Sequence, residues 1–339
     1  MEWLIIKKIL SLILAFLVPA SILTGCKSKT QDTSLVKVRL NEVVRSVFYA
    51  PMYVAINEGY FKEEGIDIDL STGQGADKTM QQVLSNSADI GFCGPEQVIY
   101  IYNQQKENYP ILFAQLTQTD GSFLVGRNAN SNFSYSDLKG KTIIGGRPAG
   151  VPEMALEYVL RNYGLVNGKN VNIVTNIAFT ATSGAFKGGT GDYVALFEPT
   201  ASMLEQDKSG YIVSSIGKEA GTIPYTCFFA TKSYIEAHKD IIQKFTNAIY
   251  KGQKYVSSHT EKETAEKIVS FFPGTDVSLI EKVIKNYKGV GAYASSPLLK
   301  EDDLTRLYNI IQSYDSSLLP KRPSYKIIVN TSFAEEAMK

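Results

Sequence analysis

The sequence has few histidines, and the two present lie far apart. His238 and His259 are separated by 21 positions and lie in charged stretches with a helical pattern. Histidines that bind a metal usually occur in tighter groups. We therefore expect both side chains on the solvated surface, and we predict no metal site.

Sequence motifs of several enzyme classes are also missing. The run Gly188-Gly189-Thr190-Gly191 lacks the Lys-Ser or Lys-Thr pair of a phosphate-binding loop and the spacing of a dinucleotide-binding turn. The Gly-x-Ser-x-Gly elbow of serine hydrolases does not occur. The sequence therefore predicts a protein that is not an enzyme and uses no cofactor.

Cysteine is scarce as well, with three residues in the whole chain. Besides Cys26, only Cys93 and Cys227 are present. An exported protein could join these two in a disulfide. Both lie beside apolar residues, which favours buried free thiols equally well, so both alternatives remain open at this point.

The chain carries almost no net charge. Its formal charge is +1 at pH 7, and without residues 1–25 the side chains sum to zero. We expect no nucleic-acid partner, because the sequence has no basic field. The hydrophobic share of 44% is that of a globular protein, and a chain of this length can form two lobes. We expect a monomer.

The first 26 residues resemble the leader of a bacterial lipoprotein. A basic start (Lys7, Lys8) precedes an apolar run at 9–18, which is too short to span a bilayer. Leu23-Thr24-Gly25-Cys26 then resembles a lipobox. We predict a signal peptide at 1–25, a lipid on Cys26, a tether at 26–35 and attachment to the outer face of the cell membrane. The alternative is an ordinary secretory signal with a chance cysteine.

Strand and helix patterns alternate along the next part of the chain. Alternation of apolar and polar residues predicts strands, and amphipathic spacing predicts helices. The predicted strands are 36–40, 66–70, 89–92 and 111–116, and the predicted helices are 51–58, 77–86 and 95–106. This order is typical of a mostly parallel sheet flanked by helices.

A second series of strands and helices begins at Lys141. Gly164 is a good stop for the first helix of this series. The predicted strands are 142–145, 171–177 and 193–197, and the predicted helices are 152–163, 239–257, 260–271, 276–288 and 301–313. Residues 228–231 could return to the first lobe.

Several segments in consistent order resemble solute-binding proteins for aliphatic sulfonates, nitrate and thiamine-pyrimidine precursors. The matching segments are VFYAPMYVAINEGYFKEEGIDIDL (47–70), SADIGF (87–92), DLKGK (137–141), GDYVA (191–195), FEP (197–199) and NTSF (330–333). The resemblance implies a type II periplasmic binding protein fold, with two α/β lobes joined by two crossover strands. We assign 36–119 and 227–339 to lobe 1 and 120–226 to lobe 2.

The resemblance also implies a function and its partners. In this family a small solute binds between the lobes, the lobes close, and the permease subunits of an ABC importer recognise the closed form. Two other functions remain as alternatives. One is an enzyme like the related pyrimidine synthases, and the other is a sensory lipoprotein that presents its liganded form to a receptor.

The resemblance places candidate ligand contacts in lobe 1. Phe48 and Tyr49 follow the first strand and could stack on a flat ring. Gly75 and Ala76 precede a helix, where small residues let a ligand approach backbone N–H groups. Glu96 follows a buried strand and could accept hydrogen bonds from an amine.

Further candidates lie in lobe 2 and at the second crossover. Ala149 and Gly150 open a helix and could offer backbone donors to polar ligand atoms. Arg147 could clamp an anion, but we expect it on the surface. Glu198 lies at a strand end facing the cleft, and Tyr225 lies near the crossover.

The candidate residues favour one class of ligand. If Glu96 and Glu198 both line the cleft, they repel nitrate and sulfonate. Aromatic rings together with carboxylates favour a flat, amine-bearing heterocycle. We therefore expect a thiamine pyrimidine precursor, with an aliphatic sulfonate or other small anion as the alternative.

Overall fold

The computed structural model of this protein describes residues 35–105 and 107–339. The predicted signal peptide, the predicted lipid site at Cys26 and the tether as far as residue 34 lie outside the described residues. In the part of the chain that is described, no helix is long and apolar enough to cross a membrane.

Five strands form the first sheet, in the order β2-β1-β3-β10-β4. Its members are β1 (Val36–Glu42), β2 (Ile66–Thr72), β3 (Ile90–Cys93), β4 (Pro110–Thr117) and β10 (Thr226–Thr231). Val38 and Leu40 are fully buried in β1, whereas Lys37 before them is exposed and Arg39 between them is half-buried. Successive side chains of a strand point to opposite faces, so this alternation places one face of β1 in the core.

Five further strands form the second sheet, in the order β7-β6-β8-β5-β9. They are β5 (Ser122–Gly126), β6 (Thr142–Ile144), β7 (Asn172–Val174), β8 (Tyr193–Phe197) and β9 (Tyr211–Ser215). The sequence patterns predicted β6, β7 and β8 but missed β5 and β9.

Each sheet contains one strand that runs against the other four. In the first sheet β10 is antiparallel to β3 and β4, and in the second β5 is antiparallel to β8 and β9. The remaining pairs are parallel. The predicted α/β fold, with two lobes built on mostly parallel sheets, is confirmed. The exact lobe boundaries remain a prediction.

Helices flank both sheets. Those up to β10 are α1 (Ala50–Asn57), α2 (Tyr60–Glu63), α3 (Ala76–Leu84), α4 (Glu96–Asn103), α5 (Val151–Asn162), α6 (Thr182–Lys187), α7 (Thr200–Gln206) and α8 (Ile216–Ala220). Those after β10 are α9 (Lys232–Ala237), α10 (Lys239–Ser258), α11 (Glu261–Ile268), α12 (Val277–Gly289), α13 (Glu301–Tyr314), α14 (Tyr325–Ile328) and α15 (Ser332–Ala337).

The longest of these helices, α10, packs on the first lobe through one apolar stripe. Its buried residues include Ile242, Phe245 and Ile249, whose spacing puts them on one face. Gly252 continues this face, and a Cβ there would overlap the Pro51 carbonyl oxygen of α1. A glycine at this position therefore allows the two helices to approach closely.

Two helices of the C-terminal segment also contact the second lobe. Helix α12 packs against α7 and against the 3-10 turn after β1, and α13 packs against α5. Lys282 of α12 pairs with Glu205 of α7 at 3.0 Å. The two lobes therefore meet through helices as well as through the two crossover segments.

The two described cysteines are paired on adjacent strands of the first sheet. Cys93 of β3 is directly opposite Cys227 of β10. Both are free and fully buried within the described chain. Of the two alternatives that the sequence left open, the structure shows buried free thiols.

Candidate functional site

The predicted ligand contacts lie at strand ends and helix starts. Phe48 and Tyr49 form part of a 3-10 turn (Val47–Tyr49) after β1, Gly75 and Ala76 open α3, Glu96 opens α4, Ala149 and Gly150 precede α5, Glu198 follows β8, and Tyr225 precedes β10. Crevices outside the carboxyl ends of strands are the usual ligand sites of open α/β sheets.

Four of these residues, Phe48, Tyr49, Glu96 and Tyr225, are close together and almost fully covered. Phe48 is fully buried, and Tyr225 is 6% exposed. The ring centroids of Phe48 and Tyr225 lie 5.6 Å apart in an edge-on arrangement. The Tyr49 ring centroid lies 5.8 Å from that of Phe48. Burial raises the pKa of Tyr225, and the charges of Tyr49 and Glu96 raise it further. We call Tyr49, Glu96 and Tyr225 the covered cluster.

The ring of Phe48 packs against aromatic rings from both lobes. Its centroid lies 4.6 Å from that of Tyr287 in α12 and 6.1 Å from that of Phe197 in β8. These contacts already occupy much of the surface of the ring. Tyr49 packs edge-on against Phe92 at 4.7 Å. In this conformation Phe48 therefore contributes mainly to packing between the lobes, and its contact with a ligand remains a prediction.

Glu96 is a buried acid with an unused acceptor. Its side chain is 2% exposed, and its Oε2 atom accepts no hydrogen bond from any described residue. Burial raises the pKa of Glu96 to about 7. A Cβ at position 94 would overlap the carboxyl group, so Gly94 provides the space for it. The side chain can thus accept a hydrogen bond from a donor that reaches the covered cluster.

A second buried acid, Asp120, lies at the first crossover, between β4 and β5. It is fully buried, and its Oδ1 accepts a hydrogen bond from the Ser122 N–H at 2.9 Å and another from the Ser122 hydroxyl. Its Oδ2 has no partner among the described residues. Burial raises the pKa of Asp120 to about 6, while Ser122 and the Tyr225 hydroxyl lower it.

Our sequence prediction missed Asp120, and the signal for it in the local sequence is weak. The acid follows the polar pair Gln118-Thr119 directly after β4, at the point where the chain leaves the first lobe. A polar run of this kind resembles an ordinary loop. Only the pairing of β5 with β8 and β9, which is not local in sequence, shows that this run connects two sheets.

Glu198 has its hydrogen bonds satisfied within the protein. Its Oε2 accepts from the Ser202 N–H at 2.8 Å, and its Oε1 accepts from the Ser202 hydroxyl at 2.8 Å and from Asn286 Nδ2 at 2.6 Å. The Glu198 N–H donates to the Tyr287 hydroxyl at 3.1 Å. These bonds link the start of α7 to α12. The predicted contact between Glu198 and a ligand remains untested.

The loop before α5 meets helix α4 of the other lobe. The carbonyl oxygen of Ala149 accepts a hydrogen bond from the Tyr100 hydroxyl at 3.2 Å. The same hydroxyl lies 3.9 Å from the Met154 sulfur. Ala149 has a φ of 59°, which is uncommon for a residue with a side chain. Gly150 is the N-cap of α5, and Arg147 is exposed. The loop therefore bridges the lobes in this conformation.

Gly75 and Ala76 take a more peripheral position. Both are half-buried at the start of α3, and the Gly75 N–H donates to the Val43 carbonyl at 3.1 Å. Gly75 has a φ of 151°. Their contact with a ligand remains a prediction.

The buried charges around the lobe junction are all acidic. Glu42 is satisfied by the Tyr53 hydroxyl at 2.5 Å and by Arg45 Nε at 2.6 Å. Glu153 accepts from the Gly146 N–H at 2.7 Å, and burial raises its pKa to about 7. In the described chain no lysine or arginine is buried. This environment favours ligands with donor groups or positive charge.

Other surface features lie away from these residues. Two depressions of about 430 and 440 Å³ are present, one beside Lys300 and one beside Lys285, and neither is lined by a predicted ligand contact within the described chain. His238 is exposed, as expected, and half-buried His259 stacks on Tyr255 at 3.7 Å. No group of three or more metal-binding side chains occurs among the residues described.

Comparison with known proteins gives a family and a fold. The family model described as "NMT1/THI5 like" matches residues 47–263. YtlA of Bacillus subtilis (strain 168), whose name describes it as a binding protein, is 44% identical over 314 residues, which cover 93% of this chain and 92% of that protein. The 4-amino-5-hydroxymethyl-2-methylpyrimidine phosphate synthase of Aspergillus parasiticus is 21% identical, covering 62% of this chain and 63% of the synthase.

A solved structure supports the fold. The alkanesulfonate-binding protein SsuA from Xanthomonas axonopodis pv. citri, bound to MOPS, superposes with a TM-score of 0.69 at 15% identity. The match covers 88% of this chain and 99% of that structure. The chain therefore belongs to the NMT1/THI5-like family and has the two-lobed fold of the periplasmic binding proteins.

Proposed function

We propose that this protein is an extracytoplasmic solute-binding lipoprotein of an ABC importer. It captures a small solute between its lobes, and the permease subunits recognise the closed form. The two-lobed fold and the covered cluster between the lobes support this proposal. Because the cluster residues are nearly inaccessible in this conformation, a solute would need the lobes to separate before it enters and would be enclosed when they close again.

The solute we favour is a flat heterocycle with an amino group, such as a thiamine pyrimidine precursor. The single observation that carries this choice is the free Oε2 acceptor of buried Glu96, an acid whose charge also raises the pKa of Tyr49 and of Tyr225. An amine can donate to that oxygen while the ring lies against an aromatic face. The name of the Aspergillus relative, a synthase for an aminopyrimidine phosphate, points to the same chemistry.

The alternative solute is an alkanesulfonate or another small anion, as the name of the Xanthomonas protein indicates for that protein. A buried anion requires hydrogen-bond donors or a cation to offset its desolvation. The acids of the covered cluster and of the crossover repel it instead. For this reason we place the anion second.

Attachment to the membrane follows from the leader. We propose that Cys26 carries the lipid and that residues 26–35 connect it to β1. This places a monomeric binding protein on the outer face of the cell membrane, near the permease.

A ligand screen followed by one substitution tests the proposal. Calorimetry should detect 4-amino-5-hydroxymethyl-2-methylpyrimidine and give no heat with ethanesulfonate or nitrate. Glu96→Gln should weaken binding about tenfold to a hundredfold, because it removes a charge-assisted hydrogen bond. Glu335→Gln, at an exposed position, is the matched control. Binding of ethanesulfonate but not of the pyrimidine would contradict the proposed solute class.

A further inference from the structure

Asp120 has an acceptor that the fold does not use. Ser122 holds its Oδ1, whereas Oδ2 accepts nothing from the described residues although the side chain is fully buried. Buried polar groups are nearly always hydrogen-bonded, so an unpaired carboxylate oxygen calls for an explanation. The Tyr225 hydroxyl interacts with this carboxyl group and lowers its pKa, but its geometry leaves Oδ2 without a hydrogen bond, which a solute donor can supply.

The backbone around Asp120 is held rigidly. A Cβ on Gly217 of α8 would overlap the backbone of Asp120, so this helix packs directly on the crossover. A Cβ on Gly121 would overlap the rings of Phe48 and Phe197, which come from the two lobes. The backbone that carries the carboxyl group is therefore tightly packed on both sides. A fixed acceptor of this kind is preorganised for binding.

Asp120 and Glu96 act on the same tyrosine. Burial raises the pKa of Tyr225, and the charges of both acids raise it further. The acids come from different segments, the crossover and the start of α4, so their buried, unpaired oxygens are two separate acceptors. A single amino group serves one of them, and the second requires another donor.

We infer that Asp120 is a second solute-binding residue of the site, and that the solute carries two separate N–H or O–H donor groups. This inference rests on the proposed function, because it names a further residue and a further requirement of the same site. In 4-amino-5-hydroxymethyl-2-methylpyrimidine the amino and hydroxymethyl groups supply two donors.

The test compares two probes in the full mature protein. Calorimetry is done at about pH 8, above the raised pKa of Glu96 (about 7) and of Asp120 (about 6). It measures 4-amino-5-hydroxymethyl-2-methylpyrimidine and 4-amino-2,5-dimethylpyrimidine, which lacks the hydroxyl. The wild type should prefer the two-donor probe by about tenfold to a hundredfold. Asp120→Asn should abolish this preference and leave the affinity for the one-donor probe within about twofold. Asp302→Asn, at an exposed position, should retain the preference.

The outcomes separate the inference from the proposed function. Equal affinity of the wild type for both probes overturns the inference without any variant, so the test does not depend on how well Asp120→Asn folds. A preference that survives in Asp120→Asn, with its melting curve unchanged, overturns it as well. If neither probe binds the wild type, the proposed solute class is wrong and the inference falls with it.

Discussion

Glu198 and Glu96 are both buried acids, but they differ in how their carboxylate oxygens are hydrogen-bonded. Glu198 receives three hydrogen bonds from Ser202 and Asn286, whereas the Oε2 of Glu96 receives none from the described chain. From the sequence, both looked like strand-end acids facing a cleft. Which of the two has a free acceptor depends on side chains distant in sequence, such as Asn286, and this could not be predicted from local pattern.

Replacing Glu198 should lower stability. In Glu198→Ala, buried Ser202 loses two hydrogen bonds and Asn286 loses one, which should reduce the free energy of unfolding by about 1–3 kcal/mol. The melting temperature should fall by roughly 2–4 °C for each kcal/mol. Differential scanning calorimetry measures this.

A second substitution separates stability from binding at Glu198. Ser202→Ala removes one of the same hydrogen bonds and leaves the acid in place. If Glu198→Ala loses tenfold or more in affinity and Ser202→Ala loses none, the predicted ligand contact of Glu198 is supported. An unchanged melting temperature in Glu198→Ala would contradict the structural role given to it here.

The elements of the fold differ in how well their sequences predict them. Strands β1 and β2 alternate clearly, and α10 carries a regular apolar stripe. Strands β5 and β9 were missed because they do not alternate: every residue of β5 is buried and every residue of β9 is half-buried. Their identity depends on pairing with partners far along the chain, and periodicity contains no information about such pairing.

The hydrogen bond between α4 and the loop before α5 should favour the closed form. Tyr100→Phe removes the hydroxyl that donates to the Ala149 carbonyl, so closure should become less favourable by about 0.5–1.5 kcal/mol. Solute affinity should then fall by a few-fold. Fluorescent labels at exposed Lys78 and Lys169, one in each lobe, measure the separation of the lobes. Without solute, their mean separation should be larger in Tyr100→Phe than in the wild type.

The control for this substitution lies on the same helix. Tyr102→Phe removes another hydroxyl from α4. The Tyr102 ring packs edge-on against the Tyr109 ring, with the centroids 5.1 Å apart. It should leave both affinity and label separation unchanged. If Tyr100→Phe behaves like Tyr102→Phe, the contact does not contribute to closure.

The two-lobed fold as a whole was predictable, whereas the solute was not. Motifs spread along the chain, such as residues 47–70, indicated the fold and its family. In our proposal the preference for a solute depends on a few buried oxygens, including that of Asp120, which lies between the strands β4 and β5 of the two sheets. The leader differs from the solute site in this respect, because its prediction rests on a pattern within residues 1–26 alone.

Attachment to the membrane should depend on one atom, the sulfur of Cys26. Cys26→Ser should release the protein into the medium or leave it unprocessed, because the lipid can no longer be attached. Fractionation of cells followed by mass spectrometry of the mature N-terminus measures this. A cleaved variant that still sediments with membranes would show that another feature anchors the chain.

The position of β10 between β3 and β4 has a consequence for the order in which the chain can fold. The hydroxyls of Thr117 and Thr226 hydrogen-bond at 2.9 Å although 109 positions separate them. Strands β5 to β9 all lie between these residues, so the second sheet can complete its pairing first. Until residue 231 emerges, β3 and β4 lack the strand that lies between them, and unpaired edges of this kind template aggregation. The first sheet is thus the last to be completed, although its first strand is the earliest to be synthesised.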